Sequence, residues 1–225
     1  MHFYFIQPFE ALDVRWLSEV TRRISALGHT FLLTTEVDEA ADLYVVSGDD
    51  CGSFNSNADR AVARQIERDI VGQLRGKVMT DHYGFLGRGK SLFHENSKGQ
   101  RLLYISSGDP AELGYLPAVK DRYPFNYMLE VMRTVRQLGE DSISTVMVVI
   151  PPLIGAMRDP GLALCQMSYA LDYVANERWN KADRHDWITK TLHHSTQLAL
   201  AYAESNNRRK DLYDNLLASI PQHRT

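Results

Sequence analysis

The sequence predicts an α/β protein built on a parallel sheet. Three observations predict it. The chain opens with a β-α-β pattern over residues 2–35. Short β-rich runs then alternate with amphipathic helical periods as far as residue 150. Such alternation is the signature of crossover-connected parallel strands. Finally, Ser144–Ile150 is an almost unbroken apolar run, as expected of a strand buried on both faces.

His2–Gln7 is a β-rich run, and MHFYFIQPFE reads as a strand rather than a signal peptide, lacking a charged leader and a small-residue cleavage site. Ala11–Leu27 carries Leu12, Trp16, Val20 and Ile24 at a four-residue rhythm, which predicts an amphipathic helix. Gly28 ends it, since glycine tolerates the left-handed turn that closes a helix. Thr30–Thr35 and Ala41–Ser47 are the second and third strands. A polar loop from Gly48 to Asn57 follows. Asp59–Leu74 is predicted as one helix, with Ala61, Ile66, Ile70 and Leu74 on one face. Lys77–Tyr83 and Arg101–Ser107 are predicted as strands joined by a glycine-rich segment. Pro110–Lys120 is a short helix or turn-rich loop. Phe125–Leu138 is a helix with Met128, Val131, Met132 and Val135 inward. Leu162–Ala175, His185–Ser205 and Asn207–Ile220 are helical, and Pro221 ends the order.

Composition narrows the function classes. The 225 residues suit one domain of ordinary size, or one with an appendage. Apolar content of 44% supports a sizeable core. A net charge of −3 gives no footprint for nucleic acid. No apolar run reaches membrane-spanning length, because VMVVIPPLIGAM is interrupted by Pro151 and Pro152. Cys51 and Cys165 have neither a disulfide framework nor metal-ligand spacing, so a reducing, cytoplasmic setting is expected.

Gly84-Phe-Leu-Gly-Arg-Gly-Lys90-Ser91 satisfies the literal pattern of a phosphate-cradling loop. In that reading Gly84, Gly87 and Gly89 let backbone N–H groups approach phosphate, Lys90 supplies charge, and the Ser91 hydroxyl reaches Mg²⁺. The motif needs a strand before it and a helix after it. LFHENSKGQ, which follows Ser91, offers no such helix. The competing reading is a glycine-rich connection.

A series of ordered segments resembles the N-terminal half of ribose-phosphate pyrophosphokinases. They are LYVVSG at residues 43–48, Asn55-Ser-Asn57 opening a helix, Glu95-Asn-Ser-Lys-Gly99 before RLLYISS, and the ungapped stretch from Tyr127 to Pro151. The resemblance implies a phosphoribosyltransferase-like core at residues 41–160. An N-terminal β-α-β extension of the sheet at 1–40 and a helical region at 161–225 would be additions to it. It implies a nucleotide or phosphosugar ligand, Mg²⁺ carried with ATP, and a homo-oligomer. By position, Arg158 and Asp159 stand near the family's catalytic stretch. Asp183 and His185 stand where the family has an Asp-x-His that can serve metal or phosphate. The departures matter equally. The family's acidic pair falls on Leu86 and Arg88, and no acidic Gly-Thr loop for the sugar phosphate is found. Positioning both substrates supplies much of such a barrier. Unaided pyrophosphate transfer from Mg-ATP to ribose 5-phosphate is therefore not expected. A non-catalytic assembly partner on the same sheet and a phosphotransferase using Gly84–Ser91 are the alternatives.

Overall fold

The structure, a computed structural model, describes residues 1–6, 14–37, 41–108, 123–151 and 160–175. Among these residues six strands form a single sheet: β1 (His2–Ile6), β2 (Thr30–Thr34), β3 (Leu43–Gly48), β4 (Ser91–Glu95), β5 (Arg101–Ser106) and β6 (Thr145–Val149). Their order is β2-β1-β6-β3-β5-β4. Every pairing is parallel except that of β4 with β5, which is an antiparallel hairpin.

The four inner strands explain their own burial. Successive side chains of a strand point to opposite faces. Phe3, Phe5, Leu43, Val45, Leu103, Ile105, Val146 and Val148 therefore fill one core. Their neighbours Ile6, Tyr44, Val46, Leu102, Tyr104, Met147 and Val149 fill a second. Both faces must then be covered by helices. Helices α1 (Val14–Ala26), α4 (Tyr123–Leu138) and α5 (Pro160–Ala175) cover the first face. Helices α2 (Asn57–Ile66) and α3 (Ile70–Asp81) cover the second. The predicted α/β class with a mostly parallel sheet is thus what the chain adopts.

α1 buries Val20 and Ile24, one turn apart, as its rhythm requires. α4 buries Met128, Val131, Met132 and Val135 against the same core as Val146 and Val148. The Tyr127 hydroxyl on α4 donates to the Val149 carbonyl at 3.2 Å, so the helix and the strand that follows it are direct neighbours.

Two expectations are corrected here. Asp59–Leu74 is not one helix. Glu67 adopts an extended conformation (φ −157, ψ 136) and divides α2 from α3. Its side chain accepts from Gln73 and binds His94, which holds the break open. Ile66, Ile70 and Leu74 are all buried, so the four-residue rhythm runs straight through the division and conceals it. Lys77–Tyr83 is not a strand but the second half of α3. Val78 continues the buried row of Ile70 and Leu74, one turn further on. The helix then closes at Tyr83 and Gly84, both with positive φ, where Gly84 N–H donates to the Val78 carbonyl at 2.9 Å. The strand that the sequence reading missed is β4. The expectations for Pro110–Lys120, His185–Ser205 and Asn207–Ile220 lie outside the described residues.

Candidate functional site

The parallel strands end together along one edge, at Ile6, Gly48, Ser106 and Val149. The Ile150 N–H donates to the Ile6 carbonyl at 3.0 Å, tying the ends of β1 and β6. At this edge β3 lies between β5 and β6. The route from β3 to β5 runs over one face through α2 and α3, and the route from β5 to β6 over the other through α4.

The loop leaving β3 is built around a glycine. A Cβ on Gly48 would meet the Ser53 carbonyl oxygen and the Tyr104 hydroxyl at 2.1 Å each. That closeness lets the buried Tyr104 hydroxyl reach two carbonyls, Asp49 at 2.6 Å and Ser53 at 2.9 Å. Burial, with Asp49 and Asp59 nearby, holds this phenol above its ordinary pKa, so it stays a donor. One oxygen of the Asp49 carboxylate accepts from the Cys51 and Ser53 N–H groups at 2.9 and 2.7 Å, closing a tight turn. Gly52, at φ +88, takes the left-handed position in that turn. Phe54 packs edge-on against Tyr104 beneath it.

Asn55 then crosses the edge. Its amide donates to the Ser47 hydroxyl at 3.2 Å and to the Ser107 hydroxyl at 2.9 Å, linking the ends of β3 and β5. The Ser107 hydroxyl donates to the Gly48 carbonyl. Below this layer sits Asp59, in the first turn of α2 and fully buried. Its carboxyl accepts from the Ser47 N–H at 2.7 Å and from the Ser56 hydroxyl at 2.5 Å. Ser56 in return accepts the Asp59 N–H and caps the helix. Desolvation raises the Asp59 pKa to about 6 and outweighs the hydrogen bonds that lower it. The outcome is a polar ledge in which the half-buried Asn55 lies over buried hydroxyls, next to the capped N-terminus of α2.

Gly84–Ser91 also reaches this edge, but not as a phosphate loop. α3 precedes it and Ser91 opens strand β4, so the strand–loop–helix setting is absent. Most of its backbone donors are spent internally. Leu86 N–H donates to the Asp50 carbonyl, Gly89 N–H to Ser106, and Lys90 N–H to Gly87. The Ser91 hydroxyl binds Glu130 of α4 rather than facing a cation. Gly84 and Gly89 serve positive-φ turns, at +85 and +75. Gly87 adopts no such conformation. The Lys90 ammonium is exposed and makes no ion pair or hydrogen bond among the described residues. The literal motif is therefore corrected: the segment braces the loop after β3 and the end of β5.

Arg158, Asp159, Asp183 and His185 lie outside the described residues. Among the described residues no group of three His, Cys, Asp or Glu side chains could hold a metal, and no helix is long and apolar enough to cross a membrane. Sequence reasoning overlooked Asn55, Asp59, Tyr104 and Ser107. Ser56-x-x-Asp59 was a legible capping signal. The long-range partners of Tyr104 and Asn55 had none.

No protein-family model matches the chain, and no curated protein matches it significantly.

Proposed function

We propose that this protein binds a nucleotide or a phosphorylated sugar across the carboxyl edge of its sheet. The observation that carries the reading is the position of β3 between β5 and β6, with the connections running over opposite faces. At such a switch point the loops diverge and leave a crevice, and ligands of open α/β sheets sit there. The local chemistry suits a polar, anionic ligand. The half-buried Asn55, held through its NH2 by the buried Ser47 and Ser107 hydroxyls, keeps its amide oxygen to accept from sugar hydroxyls. The N-terminus of α2 favours negative charge. Lys90 adds an uncommitted cation near the same edge.

Unaided pyrophosphate transfer from Mg-ATP to ribose 5-phosphate is not part of this proposal, since the acidic pair that the resemblance calls for falls on Leu86 and Arg88. The Asp59 carboxyl and one oxygen of Asp49 are committed to protein N–H and O–H donors.

Calorimetry tests the binding reading. ATP, ADP-ribose and ribose 5-phosphate are titrated into the protein with and without Mg²⁺. Saturable heat with at least one is expected, weakened about tenfold by Asn55→Ala, a loss of roughly 1.4 kcal/mol. Absence of heat with all of them overturns the proposal.

A further inference from the structure

The opposite edge of the sheet carries a second cleft, of about 460 Å³, where the β4–β5 hairpin meets the junction of α2 and α3. Its floor is a side-chain relay. The Glu67 carboxylate accepts from Gln73 through one oxygen and pairs with His94 Nε2 through the other at 3.1 Å. A carboxylate only accepts, so Nε2 carries the proton and Nδ1 is left as the second functional atom of the ring. His94 is 8% exposed and lines the cleft, and its Nδ1 has no hydrogen bond among the described residues. Asn96 fixes the wall, donating to the Ile66 carbonyl at 2.8 Å while its own oxygen accepts from the Lys98 and Gln100 N–H groups.

The charges around this ring are unevenly matched. Glu95 is paired with Arg101 at 3.2 Å. Glu67 is held by Gln73 and His94. The Asp69 carboxylate lies over Gly72 in the first turn of α3. Arg68 and Lys98, both exposed and both lining the cleft, have no acidic partner among the described residues. Two uncommitted cations thus flank a carboxylate-backed imidazole.

The geometry points to a second ligand site here, one that takes a small phosphate monoester. Arg68 and Lys98 supply the charge, and His94 Nδ1–H donates once the ring is protonated. A planar guanidinium matches phosphate oxygens in pairs, and the lysine adds a mobile point charge. Glu67, at the break between α2 and α3, and Glu95 on β4 also line the cleft and oppose the anion. Their existing partners limit that opposition.

The test follows the His94 ring resonances by NMR in the full chain, assigned by their loss in His94→Gln. Inorganic phosphate and glycerol 3-phosphate are the probes. A saturable shift is expected, weakened at least tenfold in the Arg68→Ala/Lys98→Ala double variant. Both substitutions are on exposed side chains, so folding is preserved. Absence of a saturable shift, or a shift of equal affinity in the double variant, overturns the proposal. The nucleotide titrations at the opposite edge report separately, so one site can fail without the other.

Discussion

Asp59 sits where a charge is least welcome, fully buried beneath the loop that leaves β3. Its acceptors are nonetheless used, by the Ser47 N–H and the Ser56 hydroxyl. Burial wins, and its pKa rises from 3.8 to about 6. The folded protein therefore holds this proton more tightly than the unfolded chain does. The resulting stability is fully present below 3.8 and is lost as pH rises through about 6. That interval corresponds to roughly 3 kcal/mol. Asp59→Asn keeps an acceptor for Ser47 and offers Ser56 a polar partner. It should flatten the dependence of unfolding free energy on pH between 4 and 6, as read by denaturant melts at a series of pH values. Asp59→Ala also removes this titration, but it strands the buried Ser47 N–H as well, so it should be about 2 kcal/mol less stable than Asp59→Asn at every pH. An unchanged pH profile in the Asn variant would assign the dependence to other groups.

At the scale of elements, the βα unit made of β3, its loop and α2 depends on the absence of one side chain. A Cβ on Gly48 would lie 2.1 Å from both the Ser53 carbonyl and the Tyr104 hydroxyl, and neither is a flexible end that can swing away. Gly48→Ala should destabilise the fold by about 3 kcal/mol in urea melts. It should also displace the turn that Asp49 closes, so ligand binding falls in parallel. The glycine-rich segment makes the opposite case. Most of its N–H groups are consumed within the protein and Lys90 is exposed, so Lys90→Ala should weaken nucleotide binding only about threefold. Abolished binding would return the phosphate-loop reading to contention. This contrast shows what the sequence made legible. Strand positions followed from local apolar runs, and five of the six strands were read from them. The break at Glu67 was hidden because Ile66 and Ile70 keep the helical period across it. β4 was overlooked because SLFHE is short, half exposed and at the sheet's edge, with little apolar pattern to betray it. The polar ledge was invisible for another reason. Asn55 meets Ser107 across 52 residues, and Tyr104 meets Asp49 across 55, and such pairings exist only once the sheet has formed.

For the whole molecule, the sheet separates two polar regions: the ledge at its carboxyl edge and the relay of Gln73, Glu67 and His94 at the other. Between them lie the buried strands β3 and β5, and among the described residues no hydrogen bond or ion pair joins the polar side chains of one edge to those of the other. Sites that share no partners contribute additively to stability. A ligand at one hundred times its dissociation constant stabilises the folded state by about 2.7 kcal/mol. The nucleotide that gives calorimetric heat and glycerol 3-phosphate, each at that level, should therefore raise the unfolding free energy by about twice that amount together. In Arg68→Ala/Lys98→Ala only the increment from the phosphate monoester should vanish. In Asn55→Ala only that from the nucleotide should shrink. A melt in which the second ligand adds nothing would show the two competing for one location. An excess over the sum would show that the rigid inner strands transmit binding from edge to edge.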